Sequence, residues 1–426
     1  MNRFKSVLKN IIPKKFLNLR HLFWAWWGAV KYKHPSEDLL VIGITGTTGK
    51  SSVIHFLRQV LEYAGYKVGS LSTVDFYIGG EQKLNDQKMT MLGKMQIQKY
   101  LREMCDKKCD VAIVETTSEG RLQYRHKFIN YDMMILTNLY PEHIESHGSF
   151  EKYKQAKLDL FKYVSKCKTK EHGKIAIVNG ENEYAQEFLQ FNFDQKIAYT
   201  FSDKHIEVDK EGIHFETHGY HFHAPLYGKH NAENMVTVVS IARAMDMDWQ
   251  TLQHAVAQVH SAPGRIEFIP ETESRGFRVI VDYAFEPVAL RKLYDVVDML
   301  GVEGKIIHVC GSTGGGRDKA RRIPIGELVG TKSDIFIVTD EDPYDEDPLE
   351  IIKSVSQGAQ NVGKKVEQDL FEILDRKEAI QKSINMAQSG DLVLITGKGS
   401  EQKMCIAGGK MISWDDREIV RESLKI

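Results

Sequence analysis

An apolar run that breaks into a glycine-rich turn, Leu39-Leu-Val-Ile-Gly-Ile-Thr-Gly-Thr-Thr-Gly-Lys-Ser-Ser52, constrains this chain more than any other feature. It predicts a site for nucleotide phosphates. Gly46 and Gly49 let the backbone of Thr47 and Thr48 close around phosphate oxygens, Lys50 brings a compact positive charge, and Ser51 offers a hydroxyl to Mg²⁺. The strand Leu39–Ile44 feeds the turn. Beyond it Val53, Phe56, Leu57, Val60, Leu61 and Ala64 recur at helical spacing until Gly65, which predicts a helix stopped by glycine. The usual spacing of such loops, a glycine, four residues and then Gly-Lys, would place glycine at 44, where this chain has Ile44. The loop is therefore a variant.

A length of 426 residues suggests two or three domains. A net charge of −1, with 27 % charged and 42 % hydrophobic residues, lacks the basic excess of a nucleic-acid binder and points to a small-molecule substrate. The five cysteines, Cys105, Cys109, Cys167, Cys310 and Cys405, form no CxxC pair. That argues against a zinc ribbon or a disulfide framework and suits a reducing, cytoplasmic setting. The first 33 residues depart from the average. They carry eight Lys/Arg (Arg3, Lys5, Lys9, Lys14, Lys15, Arg20, Lys31, Lys33), no acid, and the apolar run Leu22 to Val30 with three tryptophans. Nine apolar residues cannot span a bilayer. Two readings stay open: a helix lying on an anionic membrane surface at the inner face, or a helix docked on the body of the protein.

Apolar strands alternate with amphipathic helices, the pattern of an α/β fold with a mainly parallel sheet, whose sites lie at strand carboxyl ends. Asp110–Val114 ends at Glu115 and Met133–Leu136 ends at Thr137-Asn138. After Ala262-Pro-Gly-Arg265 a second set begins, with strands ending at Asp282, Cys310-Gly311, Thr339-Asp340 and Thr396-Gly397. The expected organisation is an extension over 1–38, a central ATP-binding domain over 39–262 and a Rossmann-like, doubly wound domain over 263–426.

Glu115, closing an apolar strand, is placed to act on a metal held by Ser51. The stretch Asn138 to Gly148 is dense in possible ligands. On the helix that follows, Phe150, Tyr153, Lys157, Phe161 and Val164 share one stripe, so a lysine sits in an apolar face. Spacing leaves Lys157 two roles: its stem packs while the ammonium reaches water, or burial disfavours the charged form and a nucleophilic amine captures CO₂ as a carbamate.

The succession Thr45-Gly-Thr-Thr-Gly-Lys-Ser51, Glu115-Thr-Thr-Ser-Glu-Gly120, Asn138…Glu142-His143-Ile-Glu145-Ser-His147-Gly148, Tyr153…Lys157, Gly228-Lys-His-Asn231-Ala-Glu-Asn234, Pro263-Gly-Arg265, Val281-Asp-Tyr-Ala284, Gly314-Gly-Gly-Arg-Asp318 and Gly397-Lys-Gly-Ser-Glu401 resembles the Mur ligases of peptidoglycan synthesis, most of all the UDP-N-acetylmuramoyl-tripeptide synthetases of MurE type. The resemblance implies an ATP-dependent amide ligase that joins an amino acid to UDP-N-acetylmuramoyl-dipeptide through an acyl phosphate. It implies ATP on Gly46 to Ser51, with Asn231 and Asn234 near the adenine and Arg265, Asp282 and Arg317 closing over ribose and phosphates. Mg²⁺ is implied at Ser51 and Glu115, a second Mg²⁺ at Glu115 and His143, and a carbamate on Lys157. Thr117, Ser118 and Arg125 match positions lining the channel for the donor.

The family's uridine-gripping domain has no counterpart in the roughly 40 residues before the loop. The basic, tryptophan-rich leader is one candidate to stack on uracil. Where diaminopimelate-adding relatives carry Asp-Asn-Pro-Arg, this chain has Glu341-Asp342-Pro343-Tyr344. The missing arginine and the two acids predict lysine or ornithine as acceptor, with Tyr344, Gly397 and Glu401 nearby. Phe285 and Ser400 replace histidines of the family pattern. A ligase of folylpolyglutamate or poly-amino-acid type is the alternative reading.

Overall fold

The structure, a computed structural model, describes residues 14–87, 89–141, 148–316 and 319–425. Two units emerge. The first comprises residues up to 207 with 214–225 and 230–259, and the second 208–213, 226–229 and the chain from 260 onward.

The first unit is built on eight strands: β1 (Leu40–Thr45), β2 (Val68–Leu71), β3 (Asp75–Ile78), β4 (Glu81–Leu84), β5 (Val111–Glu115), β6 (Met133–Leu136), β7 (Ile175–Asn179) and β8 (Gln195–Tyr199). They lie in the order β4-β3-β2-β5-β1-β6-β7-β8. From β2 to β8 all neighbours are parallel, and β3 and β4 add an antiparallel edge. Strands covered on both faces read as unbroken apolar runs; β1 and β5 are buried almost throughout. The edge strand β4 instead exposes Glu81, Gln82 and Lys83, which discourages pairing with another chain.

Helix α1 (Lys14–Lys31) comes first, and α2 (Lys50–Tyr63) follows β1 directly. Val53, Phe56, Leu57, Val60 and Leu61 bury one face of α2, and Gly65, at φ 90°, terminates it as expected. On α1, Ala25 and Ala29 are buried, and a Cβ on Gly28 would press on Met95 and Gln98 of α3 (Lys94–Asp106). Residues 14–31 of the leader are thus helical and rest one face of small residues on α3. Short α4 (Ser118–Leu122) follows β5. Helix α5 (Phe150–Val164) starts at Ser149, whose hydroxyl accepts from the Lys152 N–H, and α6 (Ala185–Leu189) and α7 (Lys229–Ala244) come later.

A small sheet holds β9 (Glu207–Asp209), β10 (Gly212–Thr217) and β11 (Tyr220–Ala224). The second unit's main sheet runs β12-β13-β17-β14-β15-β16, with β12 (Glu267–Phe268), β13 (Arg278–Asp282), β14 (Ile306–Cys310), β15 (Ile335–Thr339), β16 (Leu370–Ile373) and β17 (Leu392–Thr396). All pairs are parallel except β12 with β13. Alternate residues feed two cores: Ile280, Leu394 and Phe336 point to one face, and Val279, Val281, Val393 and Ile337 to the other. This is the doubly wound architecture expected from the strand pattern.

Candidate functional site

The order β5-β1-β6 sets the site. Register pairs Ile44 with Glu115 and Thr45 with Leu136, so three carboxyl ends open side by side and the glycine loop leaves from the middle one. The loop is held from every side. Asn138, just past β6, accepts from the N–H groups of Thr47 and Thr48 at 3.0 and 2.9 Å through one side-chain oxygen. The Thr137 hydroxyl donates to the Thr48 carbonyl at 2.7 Å, and Tyr153 of α5 donates to the Thr47 hydroxyl at 3.2 Å. Glycine is required at 46 and 49: a Cβ on Gly46 would collide with Thr137, and Gly49, at φ 78°, lies against the Asn234 side-chain oxygen.

Lys50 donates to the Gly46 and Thr47 carbonyls at 3.1 and 2.8 Å, which keeps its charge over the loop. Ser51 donates to Glu115 at 2.9 Å. Glu115, 2 % exposed, accepts on the same oxygen from the N–H and hydroxyl of Thr73 at 2.7 and 3.0 Å. A hydroxyl and a carboxylate meeting at a phosphate loop fit Mg²⁺, which takes one or two protein oxygens and completes its shell with phosphate and water. Lys157 is 1 % exposed, and its ammonium donates to the Gly46 carbonyl at 2.7 Å, near the Thr45 hydroxyl at 3.4 Å, above the Tyr153 ring. Of the two roles spacing allowed, the ammonium points inward to the loop. Asn231 and Asn234 are buried and bonded to each other at 3.3 Å.

Thr117 caps α4, accepting from the Gly120 N–H at 2.9 Å, and Ser118 is buried beside it. The Arg125 guanidinium donates to the Met91 carbonyl and, at 2.8 Å, to Gln123. His143, with Glu142, Glu145 and His147, lies outside the described residues, as does Arg317. No cluster of three metal-ligating His, Cys, Asp or Glu side chains occurs among the described residues.

In the second unit the carboxyl ends of β13, β17, β14 and β15 collect the other expected residues. Asp282 accepts from the N–H groups of Ile266 and Ala284 at 2.8 and 2.7 Å, and Arg265 stacks on Tyr283 at 4.2 Å. Phe285 meets Tyr283 edge-on at 5.2 Å. Asp342 and Glu401 do not face outward as isolated charges: both bind the fully buried Lys398, at 2.9 and 2.6 Å. Glu341 is different. One oxygen accepts from Thr313 at 2.7 Å, while the other is buried beside Gly397 with no hydrogen-bond partner among the described residues. Burial pushes its carboxyl up from the usual range. Tyr344, at φ 53°, packs against Gly315.

Sequence reasoning passed over Thr73, Lys398 and Arg376. Lys398 stood inside a quoted motif, and its spacing of three from Glu401 was the available signal. Arg376, wholly buried, binds Asp416 at 2.9 and 2.7 Å and the carbonyls of Thr396 and Asp340, fixing two strand ends. Nothing local in the sequence marks it.

Residues 44–242 match the Mur ligase middle domain and residues 264–399 the Mur ligase glutamate ligase domain. The UDP-N-acetylmuramyl-tripeptide synthetase of Borreliella afzelii (strain PKo) is 33% identical over 416 residues, covering 94% of this chain and 80% of that protein. The UDP-N-acetylmuramoyl-L-alanyl-D-glutamate--2,6-diaminopimelate ligase of Clostridium botulinum (strain ATCC 19397 / Type A) is 30% identical, covering 92% and 80%. A solved structure of a ligase of that second name superposes with TM-score 0.62 at 25% identity, over 91% of this chain and 78% of the other. Mycobacterium tuberculosis folylpolyglutamate synthase shares the fold, with TM-score 0.65 at 16% identity over 93% and 95%. With the phosphate loop, its serine–carboxylate pair and the buried lysine placed as described, and with these relatives, the chain belongs to the Mur ligase family.

Proposed function

We propose that this protein is the ATP-dependent ligase that joins a diamino acid to UDP-N-acetylmuramoyl-dipeptide in peptidoglycan synthesis. The Ser51–Glu115 contact at the carboxyl ends of β1 and β5 supports the reading, because a hydroxyl and a carboxylate meeting beside a glycine-rich loop suit Mg²⁺ on a nucleotide. The donor carboxylate attacks the γ-phosphate of ATP, ADP leaves, and the amine of the acceptor displaces phosphate from the acyl phosphate, losing a proton as the amide forms. Ser51 and Glu115 would hold Mg²⁺, which when bound would supply charge neutralisation at the phosphates. Lys50 and the loop N–H groups orient the triphosphate, and Thr73 and Asn138 keep carboxylate and loop in place. Asn234 borders the loop at Gly49 with Asn231 bonded to it, and Thr117, Ser118 and Arg125 receive the donor. In the second unit Arg265 and Asp282 serve the nucleotide. His143, with Glu115, would hold a second Mg²⁺ and Arg317 would contact the phosphates in this reading, both lying outside the described residues.

Three finer points belong to the proposal. Lys157 acts as a carbamate: its buried ammonium gives up a proton, the amine nitrogen bonds to the carbon of CO₂, and a second proton leaves, so a cation beside the loop becomes an anion. The acceptor is L-lysine or ornithine, because the partnerless oxygen of Glu341 suits an incoming ammonium and no arginine follows Pro343. Residues 1–33 touch the membrane peripherally. On α1, Phe23, Trp24, Trp26 and Trp27 are exposed and adjoin one another at 5.6 to 6.2 Å, next to a segment free of acids. No described helix is long and apolar enough to cross a bilayer.

ADP release with UDP-N-acetylmuramoyl-dipeptide, ATP and each amino acid in turn tests the core claim. Turnover with lysine or ornithine is expected; turnover only with diaminopimelate removes the acceptor assignment. ADP release with dihydrofolate and glutamate, and none with the muramoyl donor, would favour the folylpolyglutamate alternative, which the shared fold keeps open. Trp26→Gln/Trp27→Gln should lose sedimentation with phosphatidylglycerol vesicles; unchanged sedimentation discards the membrane contact.

A further inference from the structure

Where α1 meets the start of α3, Lys94 contacts His21 and feels the charges of Arg125 and Arg20. Arg20 comes from α1, Lys94 opens α3, and Arg125 follows α4. The Lys94 ammonium stands 2.8 Å from Nδ1 of His21, so two helices present it together. Lys94 is half-buried, and that burial, with the charges of Arg125 and Arg20, pushes its ammonium down to about 8. Arg125 is half-buried as well, and Glu119 is the acid whose charge reaches it. Among the described residues none of the three cations forms a salt bridge.

Such a group is costly to hold together. Like charges repel more strongly as water is excluded, and a cation on the first residue of a helix opposes the helix dipole. The fold nevertheless fixes two members firmly, Lys94 against His21 and Arg125 on the Met91 carbonyl and Gln123. The group also borders the residues expected to line the donor channel. Met91, which anchors Arg125, has its sulfur packed on Gly120, and the Gly120 N–H is the one that Thr117 caps. Arg125 therefore adjoins the turn that Thr117 caps, and Lys94, three residues after Met91, carries the positive charge on to His21 of α1.

We infer that Arg20, Lys94 and Arg125 form the seat for the diphosphate ester of the nucleotide-sugar donor, with His21 positioning Lys94. The inference rests on the ligase reading and adds residues from α1 and α3. A diphosphate presents several anionic oxygens, enough to accept from two guanidinium groups and one ammonium, and its charge offsets the repulsion among the three cations.

The test compares UDP-N-acetylmuramoyl-dipeptide with the same N-acetylmuramoyl-dipeptide lacking the UDP. In Arg20→Gln/Lys94→Gln the KM for the UDP donor should rise roughly 10- to 100-fold with kcat within about twofold, while KM for the UDP-free donor stays put. Inorganic pyrophosphate should compete with the UDP donor in the parent and weakly in the variant. Lys94→Arg, which keeps the charge, should hold KM within about threefold and guards against misreading a folding defect. Equal KM changes on both donors, or none on either, overturn the inference. Loss of sedimentation with phosphatidylglycerol vesicles at unchanged donor kinetics assigns the cluster to lipid phosphate and overturns it too. A parent enzyme that turns over neither donor refutes the ligase reading; calorimetric pyrophosphate binding that the double variant loses would still support an anion seat.

Discussion

The ammonium of Lys157 donates to the carbonyl of Gly46 at 2.7 Å, so the middle of α5 is tied to the first glycine of the phosphate loop. Lys157→Ala removes both the tie and any carbamate. ADP release should fall roughly 10²- to 10³-fold, with a stability loss of about 1–3 kcal/mol from the deserted carbonyl. Acetate or formate added to the variant should restore part of the rate, and the parent should respond to bicarbonate. A variant as active as the parent, or one deaf to these anions, removes the carbamate from the mechanism.

Glu115 gathers Ser51 and Thr73 on one oxygen. Glu115→Gln keeps an acceptor for these donors but lacks the charge a divalent cation needs. The fold should survive, kcat should drop about 10²-fold, and the Mg²⁺ concentration for half-maximal ADP release should rise. An unchanged magnesium dependence contradicts the metal role.

Arg376 and Asp416 are both wholly enclosed. Removing one partner strands a charge, so Arg376→Met should destabilise the second unit by about 3–5 kcal/mol in urea titrations. Adding Asp416→Leu should return much of that loss, because two apolar side chains can replace a buried pair. A double variant no better than the single one would show that the carbonyl contacts of Arg376 to Thr396 and Asp340, rather than the ion pair, carry the effect.

Burial pushes the Asp340 carboxyl up to about 6 from its ordinary 3.8. Ionisation is then harder in the folded chain than in the unfolded one. Stability should fall as pH climbs from about 4 to about 6 and stay level above that. Asp340→Asn should therefore raise stability at pH 7 by on the order of 2 kcal/mol, with the advantage fading below pH about 4. Parallel melting curves of parent and variant at pH 4 and pH 7 check this, and an equal gain at both values refutes it.

What the sequence disclosed follows from range. The phosphate loop, its strand and its helix with the Gly65 stop lie within some thirty residues, where local propensity and spacing speak directly. Glu115 was legible because strand ends carry sites, and the parallel order supplied its neighbour. Thr73 was silent: it reaches Glu115 only because β2 lies beside β5. Asn138 was noted as a strand end, but the double acceptance from Thr47 and Thr48 requires β6 beside β1. Asp342 and Glu401 were singled out by motif as expected acceptor contacts, yet their pairing with Lys398 depends on the ends of β15 and β17 lying close together. The inward aim of Lys157 likewise depends on α5 packing over the loop, since helical spacing alone places its stem and not its tip.

The oxygen that secures the loop at Thr47 belongs to a residue 91 positions later in the chain. During synthesis, then, the first glycines emerge long before their clasp exists. Closing so distant a contact is slow, and until β6 has left the ribosome the nascent chain holds a disorganised turn unable to grip ATP. Competence to bind nucleotide should arrive abruptly as that strand docks, making it a timing marker for the maturation of the whole first unit.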